Sequence, residues 1–303
     1  YEVETRLAEM SGFAHYDKGW HGTATYGTFG AAAAAAKLLG LDTDQTITAL
    51  GIAATQAAGL KSMFGTMCKP LHAGKAASNG LLAARLAKKG FTSRMDAIEC
   101  AQGFAATQAD GFRALPVSLA HNQKLAVEEN LFKYHASCYL THAGIEAVKS
   151  LRDEHDVKVQ QIKSVQQFVP KTHFSVCNIA EPTTGLETKF SMRHTAAMTL
   201  AHVDTGSLGS YDDTMANRED LVALRHKIEI VDKNFGSRMQ SEVVINLNDG
   251  RSLEKFADAG VPMSDLCLQA QKLSDKFKAL VGPVYGDDAS QETINACFNL
   301  DQF

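Results

Sequence analysis

The sequence lacks any pair of cysteines close enough to clasp a metal. Its six cysteines, Cys68, Cys100, Cys138, Cys177, Cys267 and Cys297, lie at least 30 residues apart. With no C-x-x-C pair, neither a zinc cradle nor a dithiol redox motif is expected. Thiols scattered in this way suit a reducing compartment, so a cytoplasmic location is expected. No basic tract interleaved with aromatics occurs, which argues against nucleic acid as a partner. No apolar run reaches the ~20 residues of a membrane span. Clustered acids that could ligate Mg²⁺ or Ca²⁺ are absent. The glycine-rich signatures G-x-G-x-x-G and G-x-x-x-x-G-K-[ST] are missing, as is a G-x-S-x-G elbow. No metal or organic cofactor is therefore expected.

What remains is ordinary in bulk and uneven in detail. The 303 residues are 45% hydrophobic and 21% charged, with a net charge of -4, enough for two globular domains. The first 130 residues are rich in Ala and Gly and read as helical. "GTFGAAAAAAKLLG" ends at Gly40, and "DTDQTITALGIAATQAAG" opens with Asp42 and Gln45 as a capping box. Ala49, Ala53 and Ala57 recur every four positions, which suits a closely packed, buried helix. Beyond residue 130, "QQIKSVQQFV", "HKIEIV" and "SEVVINL" have strand character, and Asp249-Gly250 signals a hairpin after the last. Helical stretches lie among them, and residues 263–282 are helical again.

The order predicts a mainly α chain with an α+β insertion. The expected domains are helical over 1–130, an α+β lid over 131–258, and C-terminal helices over 259–303 that return to the helical domain. "YEVETRLAEM" reads like the middle of a helix, so an N-terminal part of the helical domain is expected to precede Tyr1.

Four spots carry candidate chemistry. "MCKPLHAGKAA" gathers Lys69, His72 and Lys75 without an acid. Pro70 marks it as a helix start, where the dipole already disfavours cations. An anion would remove that conflict, so a carboxylate or phosphate site is one reading and solvated lysines the other. "GWHGTATYGTFG" places His21 in a Gly/Thr-rich loop before the Ala-rich helix, either as a site residue or as a hydrogen-bonded structural histidine. "FKYHASCYLTH" packs Lys133, His135, Cys138, Tyr139 and His142 at the change from helical to mixed character. Cysteine nucleophile chemistry at Cys138 with His135 is conceivable there, and a hinge segment is the plainer alternative. "KFSMRHTAA" sets Arg193 and His194 before a small-residue helix, where both could equally be structural. Together these spots are rich in Lys, His and Arg and poor in acids. Such a site suits a small polyanion, with cations stabilising charge that develops when a proton beside a carboxylate is removed.

"GWHGTATYGTFGAAAAAAKLLGLD", "KPLHAGKAASNGLLAARLAKKGFT" and "FKYHASCYLTH" resemble the MmgE/PrpD family, and the likeness runs along essentially the whole chain. The family includes 2-methylcitrate dehydratases, cis-aconitate decarboxylases and iminodisuccinate epimerases. The resemblance implies a large helical domain closed by the C-terminal helices, an inserted α+β lid and a site between them. It further implies a homodimer, no metal or organic cofactor, and more residues before Tyr1. Motif by motif, it gives His21, Lys69 and Lys133 catalytic roles, with His72 beside Lys69.

Two departures stand out. Cys138 occupies a position where decarboxylases have histidine, and Arg193-His194 replaces a common Pro-Tyr. The missing tyrosine argues against decarboxylation, with His194 able to take its proton-transfer role. The expected function is a cofactor-independent lyase or isomerase acting on a small di- or tricarboxylate, with 2-methylcitrate dehydratase-like dehydration first. His21, Lys69, Lys133 and His194 would be catalytic, and His72, Cys138 and Arg193 substrate-binding. The rivals are an epimerase of an iminodisuccinate-like diacid and a truncated, non-catalytic carboxylate-binding relative.

Overall fold

A computed structural model describes residues 1–113 and 125–300. The chain divides into two compact units, Tyr1–Asn130 and Leu131–Phe303. The mainly helical first part and the α+β character of the second agree with the fold class read from the sequence.

In the first unit, helices α1 (Glu2–Ser11), α2 (Ala14–Asp17), α3 (Gly22–Leu38), α4 (Thr43–Ala54), α5 (Cys68–Lys88) and α6 (Phe104–Gln108) follow in order. The Asp42 carboxylate accepts the Gln45 N–H at 2.8 Å, and Gln45 Oε1 accepts the Asp42 N–H at 3.2 Å, so the expected capping box forms. The core is built largely of alanine: Ala32, Ala36, Ala49, Ala53, Ala83 and Ala84 pack around Phe29 and Phe104. Small side chains let the α3 and α5 backbones approach closely. A Cβ on Gly80 would lie 2.5 Å from Ala31 Cβ and 2.7 Å from Thr28 O, so only glycine fits that crossing. α5 starts at Cys68, two residues before Pro70. Proline is still tolerated, because the first-turn N–H groups lack intrahelical acceptors.

The second unit places α7 (His142–Glu154) before strand β1 (Ile162–Val169). Then come α8 (Gly185–Thr188), α9 (Met192–Leu200), α10 (Asp213–Ala216) and α11 (Glu219–Arg225). Strands β2 (Ile228–Asp232), β3 (Gln240–Leu247) and β4 (Ser252–Asp258) precede helices α12 (Leu266–Tyr285) and α13 (Asp287–Phe298). The sheet order is β2-β1-β3-β4; β1 and β2 are parallel and the other pairs antiparallel. The Asp249-Gly250 turn joins β3 to β4, with Gly250 at φ 91. β3 alternates strictly, burying Ser241, Val243, Ile245 and Leu247. In β1 a bulge between Ile162 and Ser164 shifts the phase, so Ile162 and Val165 both face the core. α7 covers the sheet through Ala147, Val148 and Leu151. Gly144 of α7 lies against the buried Gln167 side chain of β1, where no Cβ would fit.

Candidate functional site

Unit one brings two of the flagged spots together. His21 is the N-cap residue of α3, with extended backbone (φ -92, ψ 105), and its side chain makes no cap hydrogen bond. Its carbonyl accepts the N–H of Ala24 at 2.8 Å, and its own N–H donates to Gly59 O at 2.9 Å. The ring faces His72 of α5. His21 Nδ1 and His72 Nδ1 lie 2.9 Å apart. Phe64 packs edge-on against the His21 ring at 5.0 Å. Gly59 completes the nook: an added Cβ would lie 2.4 Å from Ala24 Cβ and 3.3 Å from the His72 ring.

His21 is 7% exposed. Desolvation, and then the Lys69 ammonium, hold the His72 pKa below its ordinary value. Lys69 sits half-buried one position inside α5, whose first turn contains no acid. Lys75 points outward and is exposed.

A pair of neutral imidazoles joined through Nδ1 has fixed chemistry. One ring donates Nδ1–H, so its Nε2 is a bare lone pair. The other accepts at Nδ1, so its Nε2 carries the proton. The pair therefore offers one base and one acid side by side. Desolvation and the neighbouring cation favour the neutral form of His72, and Lys69 supplies positive charge for a substrate anion.

The other flagged residues belong to the second unit. The segment 133–138 is held by a buried clamp: His135 meets Thr205 Oγ1 through Nδ1 at 2.7 Å and Glu146 Oε1 through Nε2 at 3.0 Å. The His135 hydrogen bond holds the Glu146 carboxyl down to about 2. Lys133 Nζ donates to Ser137 O at 3.3 Å. Cys138 packs against the core, where its contact with Cys177, together with burial, pushes the Cys177 thiol well up. His142 is buried against the His135 and Tyr139 rings; desolvation holds its pKa down to about 2, and its Nε2 has no partner.

Arg193 and His194 occupy the first turn of α9, as the sequence suggested, but in structural surroundings. Arg193 donates to Ile228 O at 3.2 Å and to Asn178 Oδ1 at 2.6 Å. His194 is fully buried, with Nδ1 3.4 Å from the Arg225 guanidinium; desolvation and that charge lower its pKa to about 4. Among the described residues no three His, Cys, Asp or Glu side chains converge on a possible metal position, and no helix is long and apolar enough to cross a membrane.

Sequence reasoning missed Gly59, Phe64, Glu146 and Thr205. Gly59 had a faint signal as a glycine beside a small-residue run. Glu146 and Thr205 had none, because only the fold carries them to His135.

Comparison with known proteins gives these segments a context. Residues 1–114 match the MmgE/PrpD N-terminal domain and residues 135–300 the MmgE/PrpD C-terminal domain. The human protein named cis-aconitate decarboxylase is 27% identical to this chain, over 99% of the chain and 64% of its own length. An Aspergillus terreus protein of the same name is 26% identical, over 94% of the chain and 63% of its own length. The mouse protein of that name is 26% identical, over 99% and 63%. The chain thus spans less than two thirds of the length of these relatives. Two family domains account for almost all of it, with the boundary between the two compact units falling in the gap between them, and the chain belongs to the MmgE/PrpD family.

Proposed function

We propose that this chain acts as a lyase on a small di- or tricarboxylate, moving a proton at the carbon beside a carboxylate. The observation that carries the reading is the 2.9 Å contact between His21 Nδ1 and His72 Nδ1 beside Lys69. The bare Nε2 of one ring takes the C–H proton. The electron pair left behind moves onto the carboxylate, where the Lys69 ammonium stabilises it. The pair then returns to form a C=C bond as hydroxide leaves the neighbouring carbon. The Nε2–H of the other ring protonates that hydroxide, so the products are an alkene and water.

Dehydration stays the first reading because Arg193-His194 stands where many members of the family carry Pro-Tyr, the tyrosine that would serve decarboxylation. Decarboxylation is the second, and the names of the relatives favour it. There a C–C bond breaks, CO₂ leaves, and a ring N–H protonates the carbanion. The proton-moving role goes to the His21–His72 pair and not to His194, which is enclosed beside Arg225. A homodimer, checked by sedimentation, belongs to the same proposal.

Proton NMR in D₂O with 2-methylcitrate, citrate, cis-aconitate, iminodisuccinate and simple hydroxy diacids tests the reading. A new alkene signal marks dehydration, and itaconate marks decarboxylation. Loss of a C–H signal without net reaction marks epimerisation. Lys69→Ala is expected to abolish whichever change occurs while leaving the circular dichroism unaltered. Wild-type turnover in that variant would overturn the assignment.

A further inference from the structure

A cavity of about 320 Å³ opens in the second unit among α7, the loop after α9, and α12. That volume is at the small end of small-molecule sites. Four cations line it: Lys149 and Arg152 from α7, Lys272 and Lys276 from α12. Three acids line it too, and each is already engaged. Glu146 meets His135 at 3.0 Å and Lys272 at 3.6 Å. Asp204 accepts the Gly206 N–H at 2.8 Å, and Asp275 accepts Gln271 Nε2 at 2.8 Å.

The cations are less evenly met. Arg152 bonds Asp153 at 2.7 Å and Thr199 O at 2.5 Å, which places its charge on the carbonyl end of α9. Lys276 Nζ donates to a neutral acceptor, Lys133 O, at 2.5 Å and has no acid partner among the described residues. Burial pushes its ammonium pKa below the ordinary lysine value, as expected of a half-buried cation without a counter-charge. Lys149 forms neither an ion pair nor a hydrogen bond among the described residues. His202, on the cavity wall, is held at φ 57. A left-handed non-glycine backbone is uncommon, and such residues cluster at ligand clamps.

We propose that this cavity binds a compact oxyanion, a phosphate or a small dicarboxylate, held by Lys149 and Lys276 with Arg152 behind them and His202 at the rim. An anion supplies Lys276 with a counter-charge and gives Lys149, which feels Glu146 and Asp153 only through space, a partner at contact distance, while the three acids keep their present partners. The inference stands independently of the chemistry proposed for His21 and His72.

The test is titration of the whole chain at low ionic strength with inorganic phosphate and, separately, with succinate. Calorimetry would follow the binding, and ¹H–¹³C spectra would follow the histidine rings. The expected result is saturable binding with a shift of the His202 ring, unchanged in Lys69→Ala and about tenfold weaker (about 1.4 kcal/mol) in the Lys149→Gln/Lys276→Gln double variant. Tighter phosphate binding identifies a phosphate ligand, and tighter succinate binding a carboxylate; either supports the site. Should the double variant fail to fold, Lys149→Gln alone decides, because that side chain is exposed. Failure of both anions to saturate, shifts confined to His21 and His72, or wild-type affinity in the lysine variants would overturn the proposal.

Discussion

Replacing Gly59 with alanine tests whether close backbone approach is what sets the two histidines. The added Cβ would lie 2.4 Å from Ala24 Cβ and 3.3 Å from both Cε1 and Nδ1 of His72. Carbon atoms rest about 3.5–4.0 Å apart, so about 1 Å of movement is required. Overpacking of this kind costs about 1–3 kcal/mol. Removing glycine's freedom from the unfolded chain offsets about 0.4–1 kcal/mol of that. A net loss of about 1–2 kcal/mol is expected in urea unfolding. The movement cannot stay local. Gly59 O accepts the His21 N–H, so pushing the Gly59 segment away from α3 drags the His21 backbone while the new methyl presses on the His72 ring. The His21–His72 contact should therefore loosen, and any turnover should fall further than stability does. Gly74 is the control: it lies exposed in the same helix as His72, and a Cβ there would meet nothing within 4 Å. Gly74→Ala should stabilise by about 0.5–1 kcal/mol through helix propensity alone. If Gly59→Ala proves as stable as Gly74→Ala, with unchanged histidine ring signals, the steric argument fails.

Gly80→Ala should destabilise the first unit by at least as much, because its new methyl would meet the α3 backbone itself, 2.5 Å from Ala32 N; an unchanged urea midpoint would contradict this. Acid should weaken the fold through buried neutral histidines. His15 and His194 both sit at about 4 when folded, against an ordinary value of 6.5. The unfolded chain therefore binds protons first as pH falls below 6.5, and stability is lost from there down to the folded values, by about 2 kcal/mol per histidine at pH 5. A stability profile flat between pH 7 and 5 would refute the assignment. Alkylation at neutral pH should label the exposed Cys68, Cys267 and Cys297 and spare Cys177. Mass spectrometry that finds Cys177 modified in the folded protein would contradict its burial.

Much of the fold could be read from local signals. The capping box at Asp42, the alanine stripe through Ala49 and Ala53, and the turn at Asp249-Gly250 each act within a few residues, and each holds. The bulge in β1 escaped, because alternation says nothing about an inserted residue. The site was legible to the extent that its residues announce themselves by type. His21, Lys69 and His72 stand out as basic residues among small ones, yet nothing local says that His21 and His72 touch; that depends on how α3 meets α5. Arg193 and His194 show the converse. Residue type made them candidates, and tertiary contacts with Asn178, Ile228 and Arg225 surround them instead. Glu146 and Thr205 were illegible because a clamp across distant segments leaves no mark on neighbouring residues.

The placing of β1 between β2 and β3 bears on how the second unit is made. Val165 pairs with Ile228 on one side and Ile245 on the other, so both neighbours of the central strand are synthesised long after it. β3 and β4, joined by a tight turn, can close at once as a hairpin, on the microsecond scale. β1 must instead wait, with two open edges and an apolar face, while the four helices between it and β2 leave the ribosome. Sheet completion is then a late, long-range event. A chain interrupted between Val169 and Ile228 would present an unpaired strand ready to join another chain, so aggregation on expression should track damage to that crossover more than damage to the hairpin.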